Sequence, residues 1–190
     1  MKESFGAALA FVLRAEGGKT DDRLDRGGRT NCGVTQATFD DWLWSHGKVK
    51  RDVWTMTTNE CADIYHAMYW SAIRGDDMPA PLDFVLFDTA VQHGPRRAIE
   101  MLQQALGVQD DGIVGQLTMQ QIARDTNTKG GHDSAKSLAA GVIVERVKFY
   151  QHIIAADPSQ KRFETGWGNR VAQLCAAAGL QEETKEAETI

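Results

Sequence analysis

The sequence predicts a mainly α-helical protein with one small β excursion. Three observations carry that prediction. Apolar side chains recur at three- and four-residue intervals through most of the chain. Glycine and proline fall at the ends of those runs, where helices stop and start. Strand signals are confined to the stretch from Leu24 to Val34, where Gly27-Gly28 would turn a short hairpin.

In chain order, helical spacing covers residues 3–15. A second helix is expected over 36–46, stopped by Gly47. Trp42 and Trp44 are two apart on it, so both cannot face inward. Thr57 and Glu60 form a capping-box pattern ahead of a helix running to about Ala72. The next helix spans 82–93 and stops at Gly94. Pro95 then suits a first helical position and Gly107 a C-terminal cap. A short helix follows over 116–124, then a polar loop from Asp125 to Gly131. Asp133 or Ser134 would cap a long helix to about Ala156, ended before Pro158. The last helix is read from Thr165 to Ala178. The tail after Leu180, with Glu182, Glu183, Glu186 and Glu188 against Lys185, is expected to be frayed and disordered.

Bulk properties exclude several functions. A chain of 190 residues suggests one domain, or two at most. Hydrophobic content of 42% and charged content of 25% are ordinary for a soluble globular protein. No apolar run approaches the roughly 18 residues that span a bilayer, so stable membrane insertion is not expected. The apolar run Phe5 to Leu13 lacks a basic leader and a small-residue cleavage site. It reads as a buried helix, with synthesis in the cytoplasm and no signal peptide. The net charge of −5 and the absence of a basic stripe give no support to nucleic-acid binding. Cys32, Cys61 and Cys175 show no zinc spacing and read as reduced thiols. Cys32 has no histidine near it in sequence and makes a poor nucleophile candidate. His46, His66, His93, His132 and His152 are scattered, with no His-x-x-x-His pair, which disfavours a zinc amidase or peptidase. Neither a metal nor a cofactor is expected.

Glu16 carries the most chemistry. It ends the first apolar helix, and an acidic, glycine-rich segment follows it, with Asp21, Asp22, Asp25, Gly27 and Gly28. A carboxylate at the end of an apolar stripe is partly desolvated, which raises its pKa as a general acid requires. A second carboxylate in a polar loop completes the pair used to cleave glycosidic bonds. Glu followed by Gly-Gly is also how an ordinary helix stops, and Asp before Gly-Gly is also an ordinary turn.

The segment Glu16-Gly-Gly-Lys-Thr-Asp-Asp22-Arg-Leu-Asp25-Arg-Gly27-Gly28-Arg-Thr30-Asn31-Cys-Gly33-Val34-Thr35 resembles the signature of the glycoside hydrolase family 108 muramidases. Glu16 and Asp25 also fit the spacing of phage-type lysozymes, with Asn31 where those have Thr and Thr30 beside it. Lys19 stands where the family often has Tyr. Tyr69-Trp70 with Ile73-Arg74-Gly75-Asp76 resembles a second family block, and Phe87-Asp88-Thr89-Ala90-Val91-Gln92-His93-Gly94-Pro95 a third, with Gln92 replacing Asn. Leu102-Gln103, Leu106-Gly107, Asp111-Gly112-Ile113-Val114-Gly115 and Thr118 resemble the family's C-terminal peptidoglycan-binding region. Gln116 stands there in place of a common Pro. The likeness runs over roughly residues 5–175.

The resemblance implies a lysozyme-like fold in a single body over 1–178. Its catalytic region would span about 5–92 and its helical peptidoglycan-binding region about 93–178, with the tail at 179–190. It implies an N-acetylmuramidase, of the kind found in phage or prophage endolysins and in secretion, acting on peptidoglycan glycan strands. Glu16 would be the acid. Asp25, or in its place Asp22, would be the second carboxylate. Thr30 or Asn31 would position a water or the sugar. Tyr69 and Trp70 are candidate sugar platforms, with core packing the alternative for one of them. Asp88 and Gln92, four apart on one helical face, would line a cleft or hold a neighbouring loop. A holin or an export channel would release the protein to the periplasm and wall. The weak negative charge argues against strong electrostatic attachment to anionic wall polymers. A lytic transglycosylase and a non-catalytic peptidoglycan-binding secretion accessory are the alternatives.

Overall fold

The computed structural model describes residues 3–16, 19–21, 29–127 and 131–180. Asp22 and Asp25 lie outside these, as do Gly27, Gly28 and the acidic tail. The described residues are mainly helical with one small three-stranded sheet, a lysozyme-like mainly-α arrangement. The chain divides into two compact units, residues 1–72 and 73–190.

The first unit opens with α1, Glu3–Glu16. Phe5, Ala8, Leu9 and Val12 are buried at helical spacing. Phe5 packs edge-on to Trp70, ring centroids 5.2 Å apart. Strand β1 (Lys19–Asp21) pairs antiparallel with β2 (Arg29–Asn31), and β2 with β3 (Val34–Thr35). The pairing begins earlier than the Leu24 expected from sequence. Lys19-Thr20-Asp21 has no apolar residue, so nothing in it signals a strand; its register comes from pairing with Asn31, Thr30 and Arg29. The two-residue turn lies at Cys32-Gly33, both with positive φ (51° and 75°), as a twisted hairpin turn requires. Such a backbone costs a non-glycine residue on the order of 1–2 kcal/mol.

Thr35 caps α2 (Gln36–Ser45) by accepting from the Thr38 N–H. The helix buries Phe39, Trp42 and Leu43, while Trp44 is 82% exposed, as the two-residue spacing demands. The Thr57/Glu60 capping box forms at the head of α3, Thr58–Tyr65. Glu60 is also bonded by Arg51 and Lys48, and these contacts, Arg51 foremost, hold its carboxyl down at about 2. The α-helix does not run on to Ala72. His66–Trp70 is a π turn, closed by Ser71 N–H to the His66 carbonyl at 2.8 Å. A π turn takes in an extra residue, which rotates the positions after it. Trp70 ends fully buried.

The second unit is built around α4, Leu82–His93. It is apolar on nearly every side, with Leu82, Val85, Leu86, Phe87 and Ala90 buried. Helices α5 (Pro95–Leu106) and α7 (Gly131–Ala156) pack against it and each other. Gly141 permits close approach there: a Cβ on it would stand 3.2 Å from the Ala105 Cβ. Helix α6 (Gln116–Thr126) runs slightly past its expected end, and α8 (Glu164–Ala177) follows a 3-10 turn at Pro158–Phe163. Gly94 and Gly107 end α4 and α5 with positive φ, where glycine is favoured. Among the described residues, no helix is long and apolar enough to cross a membrane.

A buried polar centre ties these helices together. Arg146 Nη1 donates to Asp88 Oδ2 at 2.7 Å, and Arg170 Nε donates to Asp88 Oδ1 at 3.0 Å. Arg146 Nε also donates to the Tyr150 hydroxyl (2.9 Å), which lies 3.1 Å from His93 Nε2. That chain of bonds suits a neutral His93, because the tyrosine proton then points at an unprotonated nitrogen. Burial, together with the Arg146 charge, pushes His93 down to about 4. Its unfolded value is near 6.5. Between those values the unfolded chain binds the proton and the folded one does not. Stability is therefore fully present above about pH 6.5 and is lost as pH falls toward about 4. Discounted for residual exposure, the loss is roughly 2 kcal/mol. Thermal unfolding at pH 7 and pH 4.5 checks this. His93→Gln should flatten the difference, and an unchanged acid slope in that variant would contradict it.

Candidate functional site

Glu16 is the last residue of α1. It lies four positions, about one helical turn, beyond Val12, the last residue of the buried stripe Phe5, Ala8, Leu9, Val12. β1 begins three residues later, and its pairing with β2 joins Asp21 to Arg29. The connection between those paired ends holds Asp22 and Asp25. Chain order and register thus put the helix-end carboxylate and the acidic connection at opposite ends of one three-residue strand.

The two candidates on β2 have different surroundings. Asn31 is buried, and its Nδ2 donates to the Val53 carbonyl at 3.1 Å. Its side chain anchors the strand to the 3-10 turn Val53–Thr55. Thr30 faces the other side of the strand and is half-buried, paired in register with Thr20 and Thr35. Trp54, which the sequence reading missed, donates from its indole N–H to the Thr30 carbonyl at 3.2 Å. The Arg29 guanidinium lies over its ring at 4.7 Å and pairs with Asp52. Asp52 in turn accepts from the Trp54 backbone N–H. The edge of β2 is therefore fixed by a tryptophan and an ion pair from an irregular segment with no periodicity to announce it.

Tyr69 and Trp70 also part ways. Trp70 packs in the core against Phe5. Tyr69 is half-buried beside Tyr65, centroids 5.5 Å apart, and the Tyr65 hydroxyl donates to the Cys32 carbonyl at 2.9 Å. Tyr69 is thus the member of the pair near the β2–β3 turn with a partly open ring. In the second unit, Asp88 is 1% exposed with both oxygens engaged by arginines, and it joins α4 to α7 and α8. Gln92, one turn further on, is exposed. A cavity of about 330 Å³ lies between α2 and the segment of Ile64 and Met68, but none of the expected site residues lines it.

The second unit has a cavity of about 380 Å³ beside α6, lined by Asp111, Gln116, Leu117, Gln120 and Arg124 among others. Its wall is organised by one buried amide. Gln103 Nε2 donates to Asp111 Oδ1 (2.8 Å), the Ile113 carbonyl (3.0 Å) and Thr118 Oγ1 (3.2 Å), and Oε1 accepts from the Gly112 N–H at 2.8 Å. Gly112 has φ +73°, and a Cβ there would fall 2.7 Å from Arg96 Cγ, so glycine is required twice over. Gln103, Asp111-Gly112 and Thr118, scattered in sequence, form a single hydrogen-bonded centre. Ile113 and Leu117 stand exposed at the rim. Amides, the Asp111 carboxylate and the Arg124 guanidinium, with apolar shoulders, can accept acetamido groups and peptide bonds.

A family model described as Glycosyl hydrolase 108 matches residues 9–94, and one described as Predicted Peptidoglycan domain matches residues 97–172. SagA of Brucella abortus, a solved structure, is 30% identical with a TM-score of 0.72; the match covers 97% of this chain and 99% of that one. No curated protein matches the chain.

Replacing Gln103 by Ala would leave the Gly112 N–H, the Ile113 carbonyl and the Thr118 hydroxyl without that partner. Denaturant unfolding should show a loss of about 1–3 kcal/mol. Wild-type stability in Gln103→Ala would show that the loop holds its shape without it.

Proposed function

The chain belongs to glycosyl hydrolase family 108 and is a peptidoglycan-acting hydrolase with a peptidoglycan-binding region; on that premise we propose that it is an N-acetylmuramidase. It cleaves the β-1,4 bond between N-acetylmuramic acid and N-acetylglucosamine. The observation that carries this reading is the position of Glu16, at the end of a helix whose buried stripe leads to it and directly before a hairpin carrying two further carboxylates.

In this reading Glu16 gives its proton to the leaving glycosidic oxygen. A general acid in this role has to be protonated near neutral pH, which desolvation of a carboxyl favours. Asp25, from the β1–β2 connection, acts on the opposite face of the sugar, either as base to a water or as stabiliser of the oxocarbenium-like transition state. A carboxyl separation of about 5–5.5 Å would give retention, and about 6.5–9.5 Å inversion. Asp22 is the competitor for this role, or a holder of sugar hydroxyls. Thr30 orients the water or the sugar, while Asn31 keeps β2 in place through Val53. Tyr69 offers the sugar a ring face. The cavity beside α6 holds the wall polymer during attack.

The protein acts at the cell wall. Its apolar segment Phe5–Leu13 is folded into α1 with five side chains in the core, and release through a partner such as a holin or an export channel is part of the proposal. An endolysin or a secretion-associated muramidase fits this route equally.

Digestion of purified peptidoglycan followed by mass analysis tests the reading. Soluble fragments with reducing muramic acid ends are expected. Anhydro-muramic ends would mean a lytic transglycosylase, and no released fragment would mean a non-catalytic binder. In the same assay Asp25→Ala should lose more activity than Asp22→Ala; the reverse order would move the second role to Asp22.

A further inference from the structure

We propose that Cys32 and Cys61 are a disulfide-forming pair that bridges the β2–β3 turn to α3 when the protein meets a thiol oxidant. The two are far apart in sequence but not in the fold. The Tyr65 hydroxyl donates to the Cys32 carbonyl at 2.9 Å, so the turn is docked on α3. Cys61 lies four residues before Tyr65, one turn along the same face. Its thiol is close enough to that of Cys32 for the two to influence each other's ionisation. Both thiols are free. Cys32 also occupies a left-handed backbone position that asparagine or glycine ordinarily takes in such a turn, so backbone preference does not account for cysteine there.

The two thiols differ in a way that sets the order of events. Cys61 is 2% exposed, and burial and the neighbouring Cys32 push it up to about 12. Cys32 is half-buried, and its Sγ reaches Asn31 Oδ1 at 3.5 Å. Cys32 is therefore the thiol that a bulky oxidant can reach. With a small disulfide such as oxidised glutathione, the Cys32 thiolate attacks one sulfur, the oxidant's S–S bond breaks and one glutathione thiolate leaves. Cys61 then loses its proton and attacks Cys32 Sγ, expelling the second glutathione. Two S–H bonds are lost and one S–S bond is formed; two electrons pass to the oxidant, which ends as two thiols. The bridge fixes the residue that follows Asn31, and with it the end of β2, to α3. Cys175 is in the second unit and takes no part.

The pairing is independent of the hydrolase reading and is tested without an activity assay. The full-length Cys175→Ser protein is incubated with oxidised glutathione, alkylated, digested and mapped by mass spectrometry. A linked Cys32–Cys61 peptide, with both thiols protected from alkylation, is expected. Cys61→Ala in the same background should instead accumulate glutathione on Cys32. If that variant does not fold, the Cys175→Ser map decides alone. Glutathione retained on Cys32 with Cys61 still alkylated, or both cysteines alkylated as before oxidation, would overturn the proposal.

Discussion

Burial of one face of α1 is the constraint on which the first unit depends. Phe5, Ala8, Leu9 and Val12 have to be removed from water, and Phe5 is received by Trp70 at the end of a π turn. Each large apolar side chain so buried contributes roughly 1.5–3 kcal/mol. Once the stripe is seated, the helical period leaves little choice about where residue 16 falls. It is the last residue of the helix, three before the first strand of the sheet. The end of α1 is thereby placed by packing energy.

The sheet and the second unit are held by polar centres instead. Asn31, Trp54 and the Arg29–Asp52 pair secure β2 to an irregular segment. Asp88 draws two arginines into the core, and removal of that carboxylate would strand both, a kind of change that typically costs about 3–5 kcal/mol. Gln103 shapes the wall of the cavity beside α6 through four hydrogen bonds. In each case a side chain ties together segments that are distant in sequence. Rigid support of this kind lets short loops keep a fixed shape.

Much of this was legible in the residues. Gly94 and Gly107 end α4 and α5 where their positive φ is needed, and the Thr57/Glu60 box starts α3. The two-residue spacing of Trp42 and Trp44 sent one inward and one out. What escaped sequence reading depends on distant partners or on departures from regular periods. The π turn at His66–Trp70 adds a residue that no α-helical wheel anticipates. β1 carries no apolar alternation and exists because β2 pairs with it. The burial of Asp88 depends on Arg146 and Arg170, 58 and 82 residues away in sequence. Trp54 stands in a segment without period, and only the fold brings it to Thr30. The helix that ends at Glu16 was legible from its apolar spacing, while Asp22 and Asp25 lie outside the described residues.

Glu16 is the proposed proton donor. The direct measurement is the rate at which purified peptidoglycan gains new reducing ends with wild-type protein and with Glu16→Gln, both checked for folding by circular dichroism. The amide keeps the size of the side chain but has no proton to give. A folded Glu16→Gln protein should be slower by about 10²–10⁴-fold, the usual worth of a general acid. A folded variant that releases ends at the wild-type rate would contradict the assignment.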